Sequence, residues 1–365
     1  MKSVQNRRQL SIESLEARRL LAPIDVTNTD NAGTGSLRWA IEQANLQSQS
    51  DEIQFDMLGA GQHVITLNTP LPKIVSPVTI NGTTASGYAG TPLVRIQPSW
   101  SFGSSGQGLL VGNGPLGGGG TSTGAAIVRA LSVTGFPQGG IRVEANADLQ
   151  LYNSYIGLDL NGAAAGNSGN GIHYTGTNGD SFNRIEGNVI SSNAGHGILM
   201  FDDRELDIVN NKIGTNVAGT LDFGNGQDGI KVQNAPSGMT TEVDITDNVI
   251  SGNAMKGIEL VNVVGTNTIL RNKIGTNSAG NAAIPNTEKG VTIFTNTTIS
   301  SLSTEVTDNL ISGNGSAGIE LTGADVRSTL ITQNKIGVAA DGSAPLGNGA
   351  DGVIVINGAR ENYVA

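Results

Sequence analysis

The sequence predicts an all-β solenoid, in which the chain winds into stacked coils of short parallel strands. Glycine accounts for 52 of the 365 residues, roughly twice its average usage. Charged residues make up 14% of the chain and aromatic residues 4%, whereas an ordinary globular domain has about 25% charged residues. One short phrase also recurs along the chain at regular intervals. A turn-rich repeat with few charges is typical of a β-solenoid and excludes a helical bundle.

The repeated phrase is Asn-x-Ile followed by Gly or Ser, and a Gly-Ile or Gly-Val pair follows each copy. Successive isoleucines lie 23, 37, 24, 37 and 25 residues apart, so two coils take about 61 residues. A coil of this length is too short for a strand–helix unit and accommodates two or three short strands. We expect the isoleucines to stack in the interior and the asparagines to bond from coil to coil at a bend. The predicted ladders comprise Ile190, Ile213, Ile250, Ile274, Ile311 and Ile336, and Asn188, Asn211, Asn248, Asn272, Asn309 and Asn334.

Every second coil carries about nine extra residues at one corner. These insertions give predicted loops at 158–170, 215–228, 276–289 and 338–351. Loops on a rigid scaffold often carry function, so their polar residues are candidates for ligand binding. The alternative is that the loops only shield strand edges. The candidates are Asp159, Thr215, Asn216, Asp228, Thr276, Asn277 and Asp341.

The first 22 residues differ in charge from the rest of the chain, with five basic and two acidic side chains against a total net charge of −10. Residues 15–22 resemble the LEPR-type leader of large bacterial surface proteins, although Ala17 stands where that family usually has proline. The resemblance implies an extracellular or cell-surface location. A short amphipathic helix is the alternative interpretation of residues 1–22.

Residues 23–365 are predicted to form one domain. Residues 23–80 comprise an N-terminal cap and the first strands. The cap contains a helix whose N-cap residue is Ser36. The Gly- and Ser-rich segment 101–124 is predicted to be a flexible loop, and regular repeats occupy 153–365. Because residues 351–365 stop partway round a coil, we expect an uncapped C-terminal end. Either the chain is a truncated copy of a longer repeat protein, or its last coil is completed by self-association or by another chain.

The repeat phrases resemble the right-handed parallel β-helix family, whose architecture is pectate-lyase-like, over about residues 24–365. Many members cleave acidic polysaccharides, so the resemblance implies a search for catalytic residues. His196 lies in a Gly-His-Gly triplet like that of polygalacturonases, but the accompanying motifs are misplaced or absent. Lys256 and Arg271 are the other candidates, and Asp247 and Asp308 on neighbouring coils favour a structural role for Arg271.

Calcium is the only cofactor that the sequence suggests. Asp228 and Asp351 stand in Gly-x-Gly-x-Asp phrases like those of calcium-binding β-rolls, but the copies lie too far apart to sandwich an ion. Tight turns are the alternative explanation of these phrases. The chain has no cysteine, no apolar run long enough to cross a membrane, and a negative charge that disfavours nucleic acid.

The function predicted from these features is that of a non-catalytic structural, adhesive or carbohydrate-binding module on a bacterial cell surface. Its expected partners are a polysaccharide or another surface protein. The alternative is a polysaccharide lyase or glycoside hydrolase that acts on acidic polysaccharide.

Overall fold

Three long parallel sheets wind around one interior, which confirms the predicted solenoid fold. The computed structural model describes residues 23–47, 49–99, 102–104, 106–115, 121–176, 182–201, 205–234, 242–298 and 302–365. The predicted leader at residues 1–22 lies outside this part of the chain. In each regular coil the chain passes through the sheets in the same order, here named A, B and C.

Each sheet collects one strand from successive coils. The strands of sheet A are Ile24–Val26, Asp51–Phe55, Val78–Asn81, Ala125–Arg129, Asp148–Tyr152, Asn183–Glu186, Glu205–Val209, Glu242–Thr246, Gly265–Leu270, Leu302–Thr307, Thr329–Thr332 and Tyr363–Val364. Those of sheet B are His63–Leu67, Val94–Pro98, Leu131–Val133, Tyr155–Ile156, Val189–Ile190, Lys212–Ile213, Val249–Ile250, Lys273–Ile274, Leu310–Ile311 and Lys335–Ile336. Those of sheet C are Leu109–Val111, Gly139–Glu144, Asn170–Thr175, Ile198–Phe201, Ile230–Gln233, Ile258–Val261, Val291–Phe294, Ile319–Thr322 and Val353–Ile356.

The repeated isoleucines pair with one another along sheet B. Ile190 is in register with Ile213, and Ile213 with Ile250, and the same pairing continues to Ile336. The ladder isoleucines from Ile190 to Ile311 are completely buried, and Ile336 in the last coil is half-buried. Stacking identical side chains one strand spacing apart, about 4.8 Å, fills the interior without gaps.

The repeated asparagines form a hydrogen-bonded ladder between sheets A and B. Each side-chain nitrogen donates to the amide oxygen of the next coil, at 3.0 Å for Asn188 to Asn211 and for Asn211 to Asn248. That oxygen also accepts the backbone N–H of the donating residue, as in Asn211 N to Asn248 Oδ1 at 2.8 Å. The ladder satisfies buried amides that would each cost about 1–3 kcal/mol if unpaired. It continues through Asn272, Asn309 and Asn334.

A second asparagine ladder, which the sequence analysis did not predict, lies between sheets B and C. Its side chains repeat the same coil-to-coil bond at 2.8–3.0 Å. Asn253 stands three positions after Ile250, whereas Asn225 stands twelve positions after Ile213. The nine-residue insertions therefore lie between the ladder isoleucine and the asparagine of this second ladder. Its members are Asn167, Asn193, Asn225, Asn253, Asn286, Asn314 and Asn348.

The alternation of Ser and Gly after the ladder isoleucine anchors the inserted loops. In a coil without an insertion, Ser251 Oγ donates to Thr276 O at 2.8 Å and accepts from Gly275 N at 3.1 Å. Gly275 has φ +88°, and a Cβ there would lie 2.4 Å from Ser312 O. A serine from each plain coil therefore fixes the start of the loop in the next coil.

The N-terminal cap contains the predicted helix, Leu37–Ala44, and a 3₁₀ turn at Gly82–Thr84. Ser36 Oγ accepts from Trp39 N at 3.2 Å, and the helix buries Leu37 and Ile41 against the first coils. The segment 101–124 is not loop throughout, because Leu109–Val111 is a strand of sheet C, and Gly114–Pro115 pairs with Thr121–Ser122.

Apolar side chains are exposed in the last coil of the described chain. The exposed fractions are 44% for Val355, 61% for Tyr363 and 52% for Val364. Self-association through this coil stays a prediction.

We expect Asn248→Ala to lower the free energy of unfolding by about 3 kcal/mol or more, because buried groups on both neighbouring coils lose a partner at about 1–3 kcal/mol each. Asn281→Ala, at an exposed loop position, is the control and should cost less than about 0.5 kcal/mol. Urea titrations followed by circular dichroism measure both. Equal losses in the two variants would contradict the importance of the ladder.

Candidate functional site

The outer face of sheet C carries a column of side chains most of which can bear charge. Arg142, His173, Lys231 and Glu259 occupy one column, with Leu199 between His173 and Lys231. The residues on either side of them in each strand point inward, as the buried Ile172 does beside His173. The column places charges one strand spacing apart across neighbouring coils.

Most of this charge is neutralised within the face. Glu259 carboxylate oxygens lie 2.7 Å from Lys231 Nζ and 3.0 Å from Lys256 Nζ. Lys256 also approaches Glu288 at 3.4 Å, and one further pair, Lys289 with Glu320 at 3.2 Å, continues the pattern. These cations stabilise adjacent coils and are already occupied by carboxylates.

Lys256, one of the predicted catalytic candidates, is poorly suited to act as a base. Burial favours its neutral form, but the hydrogen bond and charge of Glu259, with the charges of Asp228 and Glu288, outweigh burial and raise the pKa of Lys256. The ammonium therefore keeps its proton at neutral pH, and its place in the ion-pair cluster is structural.

His196, the second candidate, is held in a polar ladder at the corner before sheet C. Asn170 Oδ1 accepts from His196 N at 2.9 Å, and His196 Nδ1 accepts from Asp228 N at 3.2 Å. Asp228 Oδ1 in turn accepts from Lys256 N at 2.9 Å. Burial would raise the pKa of Asp228, but the His196 side chain, whose Nδ1 lies 3.3 Å from Asp228 Oδ2, the Lys256 N–H and the Lys256 charge together lower it.

Arg271, the third candidate, forms a two-pronged ion pair with Asp247 on the preceding coil. Nε and one terminal nitrogen each lie 2.8 Å from a different carboxylate oxygen. The hydrogen bond to Asp247 raises the pKa of the Arg271 guanidinium further. The guanidinium thus links two coils on the outer surface.

The predicted ligand-binding residues of the inserted loops mostly serve the loops themselves. The side chains of Thr215 and Thr276 are fully buried and Asp228 is 1% exposed, so these three positions do not offer a side chain to a ligand, contrary to prediction. The other four accept backbone N–H groups of their own loop at 2.8–3.0 Å, and the two such bonds that Asp341 accepts lower its pKa. These four are Asp159, Asn216, Asn277 and Asp341.

The two predicted calcium ligands occupy the same ladder position on coils four steps apart, at about 4.8 Å per step. Asp228 is buried against His196, whereas Asp351 is exposed. They therefore do not share a site. Among the described residues, no group of three or more His, Cys, Asp or Glu side chains is arranged to hold a metal ion.

A cavity of about 290 Å³ lies against sheet C where the column begins. Arg142 and His173 line it on adjacent strands, together with the amides of Gln107, Gln138 and Asn170. Within the described part of the chain, the lining has no carboxylate, and Arg142 makes no ion pair. Arg142 Nε and His173 Nε2 are buried and have no hydrogen-bond partner among the described residues. The cavity therefore presents polar nitrogen atoms that a ligand can satisfy.

Burial and the neighbouring side chains of Arg142 and His196 set the protonation state of His173. Desolvation, followed by Arg142 and His196, lowers the pKa of His173 to about 4. Its imidazole is therefore neutral at pH 7. The ring of Phe201 lies 6.1 Å from that of His173 and adds an aromatic surface beside it.

The sequence analysis missed this site, although a signal was present. Gly140-Ile141-Arg142 repeats the phrase Gly171-Ile172-His173. Aligning these two copies places the arginine and the histidine side by side on the outer face.

The structure contains no helix, within its described residues, with the length and apolar character needed to cross a membrane.

Comparisons with known proteins find one short sequence relative and several structures with a similar chain path. One curated relative, 3-dehydroshikimate dehydratase of Acinetobacter baylyi, is 47% identical over 55 residues, which are 15% of this chain and only 11% of that protein. The A-module of the mannuronan C-5 epimerase AlgE6 of Azotobacter vinelandii superposes with a TM-score of 0.52 at 16% identity, over 93% of this chain and 99% of that one. The pectate lyase Pel9A gives a TM-score of 0.42 at 12% identity, over 93% of this chain and 80% of that one.

The family model for the right-handed β-helix region matches residues 116–365, which is more than half of the chain. The coil-to-coil ladders and three parallel sheets account for that match in physical terms. The chain therefore belongs to the right-handed β-helix family.

Proposed function

We propose that the chain is a non-catalytic module that binds an acidic polysaccharide at the cavity beside Arg142 and His173. A carboxylate of one sugar unit accepts from both side chains, and the amides around the cavity bind its hydroxyl groups. The proposal includes a location outside the cell or on its surface, where such polymers occur.

The unpaired nitrogens of Arg142 and His173 are the observation that carries this proposal. A buried donor without a partner costs about 1–3 kcal/mol, and more for a charged group. A carboxylate offers two acceptor oxygens, which match an arginine particularly well. Elsewhere on this face the lysines already have glutamate partners, so the cavity is where an added anion gains most.

The size and lining of the cavity also suit one sugar unit of a longer chain. A volume of about 290 Å³ lies at the small end of ligand pockets, which span roughly 300–1,000 Å³. Amides on Gln107 and Gln138 supply both donors and acceptors for hydroxyls.

A lyase is the second candidate, and the neutral imidazole of His173 favours it. A lyase acting on a uronate needs a cation to neutralise the carboxylate and a base for the proton on the adjacent carbon. Arg142 could supply the first and neutral His173 the second, since its pKa of about 4 leaves it unprotonated at pH 7.

Incubation with polygalacturonate, polymannuronate and chondroitin separates the two candidates. The binding module retains the polymers without cleaving them, whereas a lyase releases unsaturated products that absorb ultraviolet light. Turnover that His173→Gln abolishes would replace the binding proposal with the lyase.

Arg142→Gln should weaken binding to the acidic polymer that binds best by roughly 10- to 100-fold, because a hydrogen bond to a charged group contributes about 1.5–3 kcal/mol. Arg271→Gln is the matched control, since it removes the same charge from an ion pair outside the cavity. Calorimetric titration measures both variants. Equal affinity of wild type and Arg142→Gln would refute the site.

The pKa of His173 provides a second test, because the Arg142→Gln variant and a bound ligand should each raise it. In the free protein His173 should titrate near pH 4, and Arg142→Gln should move that pKa towards the ordinary value of about 6.5. A bound carboxylate stabilises the imidazolium and raises the pKa, so affinity should increase as pH falls below 7 and level off below about 4. Proton NMR of the three histidines follows this directly, and a free-state pKa near 6.5 would contradict the electrostatic description.

A further inference from the structure

A second cavity, of about 470 Å³, lies at the corner where the chain leaves sheet C for sheet A, near the C-terminal end. It opens beside the ends of the strands Val291–Phe294, Ile319–Thr322 and Val353–Ile356. Five strand steps separate Gly139–Glu144 from Val291–Phe294 in sheet C, or about 24 Å at one strand spacing per step. This cavity is therefore distinct from the one that contains Arg142.

Its lining has a different chemistry. No lysine, arginine or histidine is among the described residues that line it, and Asp325 is its one carboxylate. The lining also contains the ring of Phe294, the hydroxyls of Thr295 and Thr297, and the amide of Asn296. A lining without cations does not attract an anion, and a single carboxylate does not make a metal site. Hydroxyls, an amide and an aromatic ring together suit an uncharged ligand with several hydroxyl groups.

Two hydroxyls in this lining have no partner among the described residues. Thr295 is 4% exposed, and the Oγ1 atoms of Thr295 and Thr297 are both buried and unpaired. A Cβ at Gly323 would lie 2.8 Å from Thr295 Oγ1. Residue 323 is glycine and also lines the cavity, so no side chain at this position crowds that hydroxyl.

The surrounding amides are fixed before any ligand arrives. Asn262 Nδ2 donates to Asn296 Oδ1 at 2.9 Å, and Asn296 N donates back to Asn262 Oδ1 at 3.0 Å. Asn357 Nδ2 donates to Thr322 Oγ1 at 2.9 Å. Groups that are already held in place lose less conformational entropy on binding.

From these observations we infer that the cavity beside Phe294 and Asp325 binds a neutral sugar unit. The apolar face of the pyranose ring packs on Phe294. Its hydroxyls bond to the Asp325 carboxylate and to the free hydroxyls of Thr295 and Thr297. The inference does not depend on the acidic-polymer site, because the two cavities share no residue.

Saturation-transfer NMR on the full chain tests this site with methyl glycosides of glucose, galactose, mannose and N-acetylglucosamine at millimolar concentration. Galacturonate is the charged comparison. At least one neutral glycoside should receive saturation, and Phe294→Ala and Asp325→Asn should each weaken its binding by tenfold or more.

Thr295→Val provides a variant of nearly the same shape that removes only the buried hydroxyl, and it should weaken binding in the same direction. Arg142→Gln should leave the neutral sugar bound, so failure of the acidic-polymer site is distinguishable from failure of this one. Absence of saturation for all four neutral glycosides would overturn the inference. So would binding that Phe294→Ala, Asp325→Asn and Thr295→Val all leave unchanged.

Discussion

Coil-to-coil amide bonds are the interaction on which this structure depends. Every bend between sheets A and B, and between sheets B and C, takes backbone groups into the interior, where water cannot satisfy them. An asparagine side chain bonds simultaneously to the backbone and to the next asparagine, as Asn248 does towards Asn211 and Asn272. Since each copy bonds to its neighbours, replacing one asparagine inside the ladder by an apolar residue leaves buried groups on the adjacent coils without that partner.

Fixing the coils in register also fixes what lies on their outer faces. A parallel stack places equivalent residues about 4.8 Å apart, so like charges in one column would repel unless opposite charges lie beside them. Lys231, Glu259 and Lys256 show this compensation on sheet C, and Asp247 with Arg271 shows it at the corner after sheet A. Lys256 and Arg271, which are catalytic candidates in the sequence, therefore form ion pairs with carboxylates of the same or neighbouring coils.

The two cavities differ in the charge of the residues that line them. Near the N-terminal end of sheet C, the lining around Arg142 and His173 has no carboxylate within the described residues, and burial together with the neighbouring Arg142 lowers the pKa of His173. Near the C-terminal end, Phe294 and the threonines bring no cation to the lining. One scaffold thus carries two cavities whose linings differ in charge.

The sequence by itself determined the fold, the isoleucine and asparagine ladders, the helix that begins after Ser36 and the position of the insertions. These features follow from local periodicity, because each coil repeats the same backbone path and the same buried positions. The second asparagine ladder escaped prediction because the insertions shift its spacing from three to twelve residues after the isoleucine. Only the tertiary structure decided which polar residues are free. Thr215 and Arg142 are both polar side chains in the sequence. Neighbouring coils, whose residues are 20 to 40 positions away in the chain, bury Thr215 completely, whereas they leave Arg142 Nε without a partner among the described residues.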